Sequence, residues 1–278
     1  MDAVTPTRRG TPVDLDGRPI PLYSDSDFDG LAAAGRLAAA TLDHVTPLVA
    51  PGVRTIDLDT AIEAFMRDHG GVPATVGYNG YRHASCISPN HVVNHGIPGD
   101  KRLRDGDIVN IDVTVILDGW YGDTSRMFLV GDRVPVKAKR LVDATWRAMT
   151  AGIAAVRPGA TLGDVGYACQ RVAEAEGFSA VHDFCGHGIG RVFHDAPQVM
   201  HVGAPGEGVV LEPGMVFTIE PMVNAGRAET KILVDGWTAV TRDRSLSAQF
   251  EHTVGVTEDG VRIFTLSPKD WHRPPYGA

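Results

Sequence analysis

The most regular pattern of hydrophobic and polar positions lies in residues 108–115. Valine or isoleucine occupies every odd position from 109 to 115, whereas Asn110, Asp112 and Thr114 occupy the even positions between them. Because successive side chains of a β-strand point to opposite faces, this alternation predicts a half-buried strand. Its polar face should carry a carboxylate.

The chain is predicted to turn back on itself shortly afterwards. Asp118-Gly119 is typical of tight hairpins because glycine tolerates positive φ, and residues 124–130 have the pattern of a returning strand. Asp112 and Asp123 should then lie opposite or diagonal to each other, with Cβ atoms roughly 5–8 Å apart. Two carboxylates that close either share a proton or hold a cation. Taken alone, the pair is explained more simply as two surface aspartates in a solvated turn.

Helical and strand patterns continue along both halves of the chain. Helices are predicted at residues 27–49, 56–68, 137–156 and 162–176. Thr55 is expected to cap the second helix, and Thr161 with Asp164 comes close to a capping box before the fourth. Further strands are predicted near residues 74–78, 85–88, 178–182, 216–219, 231–234, 238–240 and 249–256. Pro221 should interrupt the ladder beside Glu220, because proline has no N–H to donate.

The two halves of the chain repeat each other. Residues 103–112 align with residues 211–220 at a shift of 108, with leucine, glycine, isoleucine and a terminal carboxylate in register. Upstream, residues 51–69 match residues 158–176 at a shift of 107. A long period that occurs only twice does not indicate a solenoid, for which three or more repeats are expected. It predicts a pseudo-two-fold domain in which strands of both halves meet in one sheet and bring their carboxylates together.

Composition narrows the class of protein. The chain has 278 residues, 43% of them hydrophobic and 22% charged, as in globular proteins of one or two domains. No apolar stretch is long enough to cross a bilayer. The three cysteines have no C-x-x-C spacing, which favours a reducing compartment and makes the cytoplasm the expected location. A net charge of −8 without a long basic cluster disfavours direct binding to nucleic acid.

The ends of the chain differ from its middle. Residues 1–24 contain prolines, arginines and aspartates but no apolar segment of a signal peptide, and they are predicted to form an extended arm. Residues 25–266 are expected to form a single domain that contains the repeat. Residues 267–278 include three prolines and are expected to be a loosely held tail.

Three further residues of metal-binding type occur in the second half. His187 lies between two glycines, so no neighbouring side chain blocks access to its imidazole. Glu220 repeats the strand position of the first aspartate, and Glu251 lies on an alternating strand near the C-terminus. Each of these residues taken alone is more often structural. Together with the two aspartates, and with His95 and His194 in addition, they suggest a two-metal hydrolase.

Several of these motifs occur in an order that resembles a known family. They are His95-Gly96-Ile97-Pro98, residues 107–112, Gly122-Asp123-Thr124, Gly186-His187-Gly188-Ile189-Gly190, residues 217–221 and residues 249–253. From about residue 25 to residue 266 the chain resembles the type I methionine aminopeptidases of bacteria. The resemblance implies the α+β "pita-bread" fold, in which a central antiparallel sheet of pseudo-two-fold halves is covered by helices.

The resemblance also implies a metal centre and a reaction. Two divalent ions, of Co, Mn, Fe or Zn, would be held by Asp112, Asp123, His187, Glu220 and Glu251. Asp123 and Glu251 would bridge the two ions. A hydroxide between the ions would attack the peptide bond after an N-terminal methionine that precedes a small residue. Glu220 is expected to move the proton, His194 to hydrogen-bond the scissile carbonyl oxygen and His95 to contact the peptide nitrogen.

By the same resemblance, the substrate lies in an apolar pocket beside the metals. The residues expected to contact it are Thr75, Tyr78, Tyr81, Cys86, His95, Phe193, His194 and Trp237. Aromatic side chains suit a methionine thioether, although such residues are about as often part of a core. Thr75 and Asn94 stand where a cysteine is frequent in the family, and this puts the detailed shape of the pocket in doubt.

The enzyme that this resemblance implies is a cytoplasmic methionyl aminopeptidase, a dinuclear metallohydrolase. Its substrate would be the N-terminal methionine of nascent polypeptides, and it would act as a monomer without a membrane partner. Association with the ribosome stays open, although the basic group Thr7-Arg8-Arg9 is too small to support it.

Three other interpretations stay open. An Xaa-Pro aminopeptidase or prolidase has the same ligand types on the same fold but usually carries a large additional N-terminal domain. A metal-free, creatinase-like enzyme lacks the full ligand set. A non-catalytic binding protein on this scaffold would have no need for clustered carboxylates that repel one another.

Overall fold

The computed structural model describes residues 11–276. The first ten residues of the predicted arm, including the basic group at residues 7–9, lie outside the described part, as do residues 277–278. The helices are α1 (Asp25–Val45), α2 (Thr55–Asp68), α3 (Val136–Ala155) and α4 (Leu162–Ala175). All four predicted helices are therefore confirmed. No helix within residues 11–276 is both long and apolar enough to span a membrane.

The strands are short except for two in the first half. They are β1 (Val72–Pro73), β2 (Cys86–Pro89), β3 (Val92–Asn94), β4 (Ile108–Leu117), β5 (Trp120–Leu129), β6 (Ser179–Ala180), β7 (Gly186–Gly188), β8 (Asp195–Val199), β9 (Val216–Ile219), β10 (Met222–Asn224), β11 (Thr230–Ile232), β12 (Ala239–Thr241), β13 (Ser247–Gln249), β14 (Glu251–Val256) and β15 (Val261–Ile263). The predicted hairpin is β4–β5. Pro221 separates β9 from β10, as expected.

A nine-stranded antiparallel sheet runs through the molecule. Its order is β1-β4-β5-β14-β9-β7-β8, with β2 also paired to β4 and β15 to β14. The first half of the chain contributes β4 and β5, and the second half contributes β9 and β14. The two halves join where β5 pairs with β14. Within this sheet, the pairing of β5 with β14 brings polar residues of distant segments onto one face.

Each half of the sheet is covered by its own helices. The odd-numbered residues 109–115 of β4 are buried with Leu42 of α1 and Ile62 of α2. Helices α3 and α4 cover the other half, where Phe217 and Val254 are buried. The apolar face predicted from the alternation is therefore core, and the even-numbered positions remain available for the site.

The sequence repeat is also a repeat of backbone geometry. Gly106 and Gly214 have φ angles of +100° and +93°, a region that glycine enters without steric cost. Each donates its N–H to the carbonyl oxygen of a neighbouring strand end, Val130 in the first half and Val256 in the second. Both halves thus turn into their central strand in the same way, and the pseudo-two-fold prediction is confirmed.

Some local predictions are wrong. Residues 74–78 were expected to be a strand but form turns that lead into a 3₁₀ helix, Tyr78–Gly80. The Thr75 hydroxyl donates to the His83 carbonyl oxygen, which folds this segment back on itself. The predicted strand 178–182 is reduced to the two residues of β6, and that at 249–256 is interrupted at Phe250. Strands β3, β7, β10 and β15 have three residues each, too few for alternation to reveal, and the five-residue strand β8 was also not predicted.

The two predicted helix caps have different outcomes. Thr161 and Asp164 form the expected capping box at the start of α4. Thr55 does not cap α2: the helix begins at Thr55 itself, with Arg54 as the N-cap residue. The Thr55 hydroxyl instead donates to the Gly99 carbonyl oxygen at 3.0 Å. A tertiary contact has replaced the local one.

Both ends of the described chain are attached to the domain. Residues 12–20, predicted to be extended, form a short hairpin that is closed by a bridge between Val13 and Pro19 and anchored by buried Ile20. In the tail, the Tyr276 hydroxyl donates to the carbonyl oxygen of Met127 at 2.9 Å. The expectation of a loosely held tail is wrong for residues 267–276.

Candidate active site

Asp112 and Asp123 lie on the same face of the β4–β5 hairpin. Asp112 pairs with Ser125 and Thr114 pairs with Asp123, so the two aspartates are diagonal neighbours. The Thr114 hydroxyl donates a hydrogen bond of 2.8 Å to Asp123 Oδ1. The pairing predicted from alternation is confirmed.

The second half of the chain adds three residues to this face. His187 comes from β7, Glu220 directly follows β9, and Glu251 begins β14. Because β14 pairs with both β5 and β9, Glu251 lies beside residues of both halves. Ligand atoms of Asp123, His187 and Glu251 all lie within 4.8 Å of one another. His187 Nε2 is 3.6 Å from Asp123 Oδ2 and 3.7 Å from Glu220 Oε1.

Two polar side chains that sequence reasoning missed hold Glu220 in position. The Thr218 hydroxyl donates to Glu220 Oε1 at 2.8 Å and accepts the backbone N–H of His187 at 3.0 Å. Gln249 Nε2 donates to Glu220 Oε2 at 3.1 Å. Thr218 is two residues before Glu220, so the alternation of β9 contains a signal for it. Gln249 stands two residues before Glu251, so the alternation of the predicted strand 249–256 contains a similar signal for it.

Burial makes the carboxylates of the site poorly solvated and mutually repulsive. Burial, and then the charges of Asp123 and Glu220, raise the pKa of Asp112 well above its usual range. Burial also raises the pKa of Glu251, and it raises that of Glu220 to about 7. For His187, burial acts to lower the pKa, but the interactions with Asp123 and Glu220 raise it overall. For the three carboxylates, burial is the largest cause of the shift, and repulsion by neighbouring carboxylates adds to it.

This arrangement fits a divalent cation. Within residues 11–276, no lysine or arginine forms a salt bridge with Asp112, Asp123, Glu220 or Glu251, and the imidazole of His187 is their only basic neighbour in an ion pair. A cation held among these oxygen and nitrogen ligands would supply the missing countercharge. Carboxylates with one imidazole suit Mn, Fe, Co or Zn better than a metal that prefers thiolates.

The carboxylates open onto a cavity of about 470 Å³. All the residues expected to contact substrate line it: Thr75, Tyr78, Tyr81, Cys86, His95, Phe193, His194 and Trp237. Much of its wall is aromatic, since the ring of Tyr81 lies 4.9 Å from that of Trp237, and Tyr78 lies 4.9 Å from Phe193. The structure therefore brings the predicted contact residues together beside the carboxylates.

Two neutral histidines stand at this cavity. Burial lowers the pKa of His95 and of His194 to about 4, so both imidazoles are uncharged near pH 7. The His194 ring lies 4.2 Å from that of His187. A neutral imidazole donates a hydrogen bond from one nitrogen and accepts one at the other, so each can orient a peptide group.

The chain matches the model of metallopeptidase family M24 over residues 29–258. A methionine aminopeptidase of Rickettsia prowazekii (strain Madrid E) is 57% identical over 258 residues, which cover 92% of this chain and 99% of the relative. The crystal structure of methionine aminopeptidase from Rickettsia prowazekii superposes with a TM-score of 0.88 at 56% identity, covering 89% of this chain and 100% of that one. A prolidase from Pyrococcus furiosus has a TM-score of 0.69 at 22% identity, with coverage of 88% and 65%, and shares the fold alone. The α+β pita-bread fold is thereby confirmed.

Proposed function

This chain belongs to metallopeptidase family M24 and, within it, to the methionine aminopeptidases, and on that premise we propose that it removes the initiator methionine from nascent polypeptides. The second residue of these substrates would be small. The observation that carries the proposal is the convergence of metal-ligand side chains beside an aromatic cavity.

Membership in a metallopeptidase family implies a divalent metal, and our proposal adds the number and the ligands. Two ions, of Co, Mn, Fe or Zn, would be held by Asp112, Asp123, His187, Glu220 and Glu251. Asp123, His187 and Glu251 support this assignment, because each offers a ligand atom within 4.8 Å of the other two. When bound, such ions supply Lewis acidity that activates water and polarises a carbonyl group.

The protein's own groups move the proton and orient the peptide. We assign the proton transfer to Glu220 because its carboxyl group lines the catalytic cavity beside His187. Hydrogen bonds from Thr218 and Gln249 hold its two oxygens in a fixed direction. His194, being neutral, donates to the scissile carbonyl oxygen, and His95 accepts from the peptide nitrogen.

The methionine side chain occupies the aromatic part of the cavity. Tyr81, Cys86 and Phe193 are buried, and Tyr78 and Trp237 complete the wall. A thioether makes favourable contacts with aromatic rings and adapts to an irregular pocket. We place the reaction in the cytoplasm, with the protein acting as a monomer.

Hydrolysis of three tripeptides tests the proposal. Chelator-treated protein is offered Met-Ala-Ser, Met-Lys-Ser and Ala-Pro-Ser before and after addition of Mn, Co or Fe, and release of the first residue is measured. We expect cleavage of Met-Ala-Ser alone, and only after metal is added. Cleavage of Ala-Pro-Ser instead would assign the protein to the proline-specific enzymes that share the fold, and no cleavage with any metal would favour a binding role.

Thr218 is expected to matter for metal affinity because its hydroxyl contacts both His187 and Glu220. Thr218→Val removes this hydroxyl at nearly constant volume and should weaken metal binding by about 10–100-fold. Thr218→Ser keeps the hydroxyl and should retain most of the affinity. Calorimetric metal titration of the three proteins measures the effect. Equal affinity of wild type and Thr218→Val would contradict it.

A further inference from the structure

A second cavity, of about 320 Å³, adjoins the catalytic one. The hairpin of residues 12–20 and strand β8 flank both cavities. The hairpin contributes Arg18 to the catalytic cavity and residues 14–16 to the second, while Gln198 of β8 lines both. A chain that leaves the catalytic cavity between these two elements would therefore enter the second cavity.

Hydrogen bonds within the hairpin of residues 12–20 hold its shape beside both cavities. Oδ1 of Asp14 accepts the backbone N–H groups of Asp16 and Arg18, at 3.0 and 2.8 Å. Oδ2 of Asp14 accepts from Nε of Arg18 at 2.8 Å and lies 2.7 Å from its Nη2. Among the described residues, Nη1 of Arg18 has no partner, so it can donate to a peptide carbonyl group. Ile20, 1% exposed, anchors the hairpin in the core.

The second cavity has a distinct chemical character. Asp16 and Glu207 line it, and within residues 11–276 neither carboxylate takes part in a hydrogen bond or salt bridge. Its apolar wall includes Met200 and Leu15, and the leucine side chain is 85% exposed. Among residues 11–276, no lysine or arginine lines this cavity. A long side chain with an apolar stem and a cationic end matches this surface.

We propose that the second cavity is a distal subsite for the polypeptide substrate. Residues beyond the second one pass Arg18 and Gln198, and a lysine or arginine among them contacts Asp16 and Glu207. A polypeptide substrate is much longer than the catalytic cavity, so the residues that do not fit in the cavity must lie along the surface of the protein. Strand β8 is the edge of the large sheet, and an extended chain can run beside such an edge. This inference rests on the proposed function.

The test compares two octapeptides that share the start Met-Ala-Ser-Gly and carry either Lys-Lys or Glu-Glu at positions five and six. At low salt, wild-type protein with metal should show kcat/KM about three- to tenfold higher for the lysine peptide. Glu207→Gln should lower this ratio about threefold. Glu258→Gln removes the same charge from the exposed turn after β14 and should leave the ratio unchanged.

Two results would overturn the subsite. One is a wild-type ratio of kcat/KM for the lysine peptide to that for the glutamate peptide near one. The other is an equal fall of this ratio in Glu207→Gln and Glu258→Gln, because such a fall would reflect only the overall negative charge of the protein. Calorimetry also measures the affinity of each protein for the two octapeptides, and this measurement does not require hydrolysis. Failure to cleave even Met-Ala-Ser would count against the proposed function, while the binding ratio would still decide the subsite.

Discussion

Asp123→Asn is expected to reduce hydrolysis of Met-Ala-Ser by about 10³-fold or more, or roughly 4 kcal/mol of transition-state stabilisation. Asp123 is 4% exposed and belongs to the group of ligand atoms contributed by both halves of the chain. A neutral amide is a weaker ligand for a divalent cation than a carboxylate, so bound metal should be lost as well. Asparagine keeps the shape of the side chain and can still accept the hydrogen bond of Thr114.

The same substitution should stabilise the metal-free protein, because it removes a buried negative charge that raises the pKa of Asp112 and of Glu251. An increase in the stability of the metal-free protein would show that the loss of metal and activity does not come from misfolding. The measurements are metal content, kcat/KM and urea unfolding of chelated protein. Asp118→Asn, in the exposed turn of the same hairpin, is the matched control and should change none of the three. Retained metal and activity in Asp123→Asn would refute the ligand assignment.

Asp43→Ala is expected to lower the free energy of unfolding by about 3–5 kcal/mol. Asp43 of α1 forms a salt bridge with Arg126 of β5, and each residue is only 2% exposed. Asp43 also accepts hydrogen bonds from the Ser267 hydroxyl, at 2.9 and 2.8 Å, so it holds the tail as well. Alanine would leave the guanidinium group of Arg126 buried and without its carboxylate partner.

Urea unfolding of metal-loaded protein measures this effect. Glu63→Ala breaks the partly exposed pair of Glu63 and Arg67 on α2 and should cost less than about 1 kcal/mol. The double variant Asp43→Leu, Arg126→Met removes both charges and should recover much of the loss, because no unpaired charge remains. A loss below about 1 kcal/mol in Asp43→Ala would mean that water or another group compensates Arg126.

Features that depend on a few consecutive residues were predicted well. The β4–β5 hairpin follows from the alternation around Asp112 and from the turn at Asp118-Gly119, and the capping box follows from Thr161 with Asp164. The prediction failed where a distant partner competes with the local one. Thr55 bonds to Gly99 instead of capping α2, and Thr75 bonds to His83 instead of entering a strand.

The sequence by itself determined the pseudo-repeat, the helices, the central hairpin and the chemical types of the candidate ligands. It did so because alternation, caps and turns act over a few residues, and because the motifs occur in the order of a known family. The tertiary structure alone decided how these residues meet. The pairing of β5 with β14 and of β14 with β9 brings Glu251 beside Asp123, 128 positions away in the chain. The same long-range packing adds Gln249 behind Glu220 and turns residues 12–20 into a wall of two cavities. No local pattern encodes such contacts, since their free energy arises only when both segments are buried together.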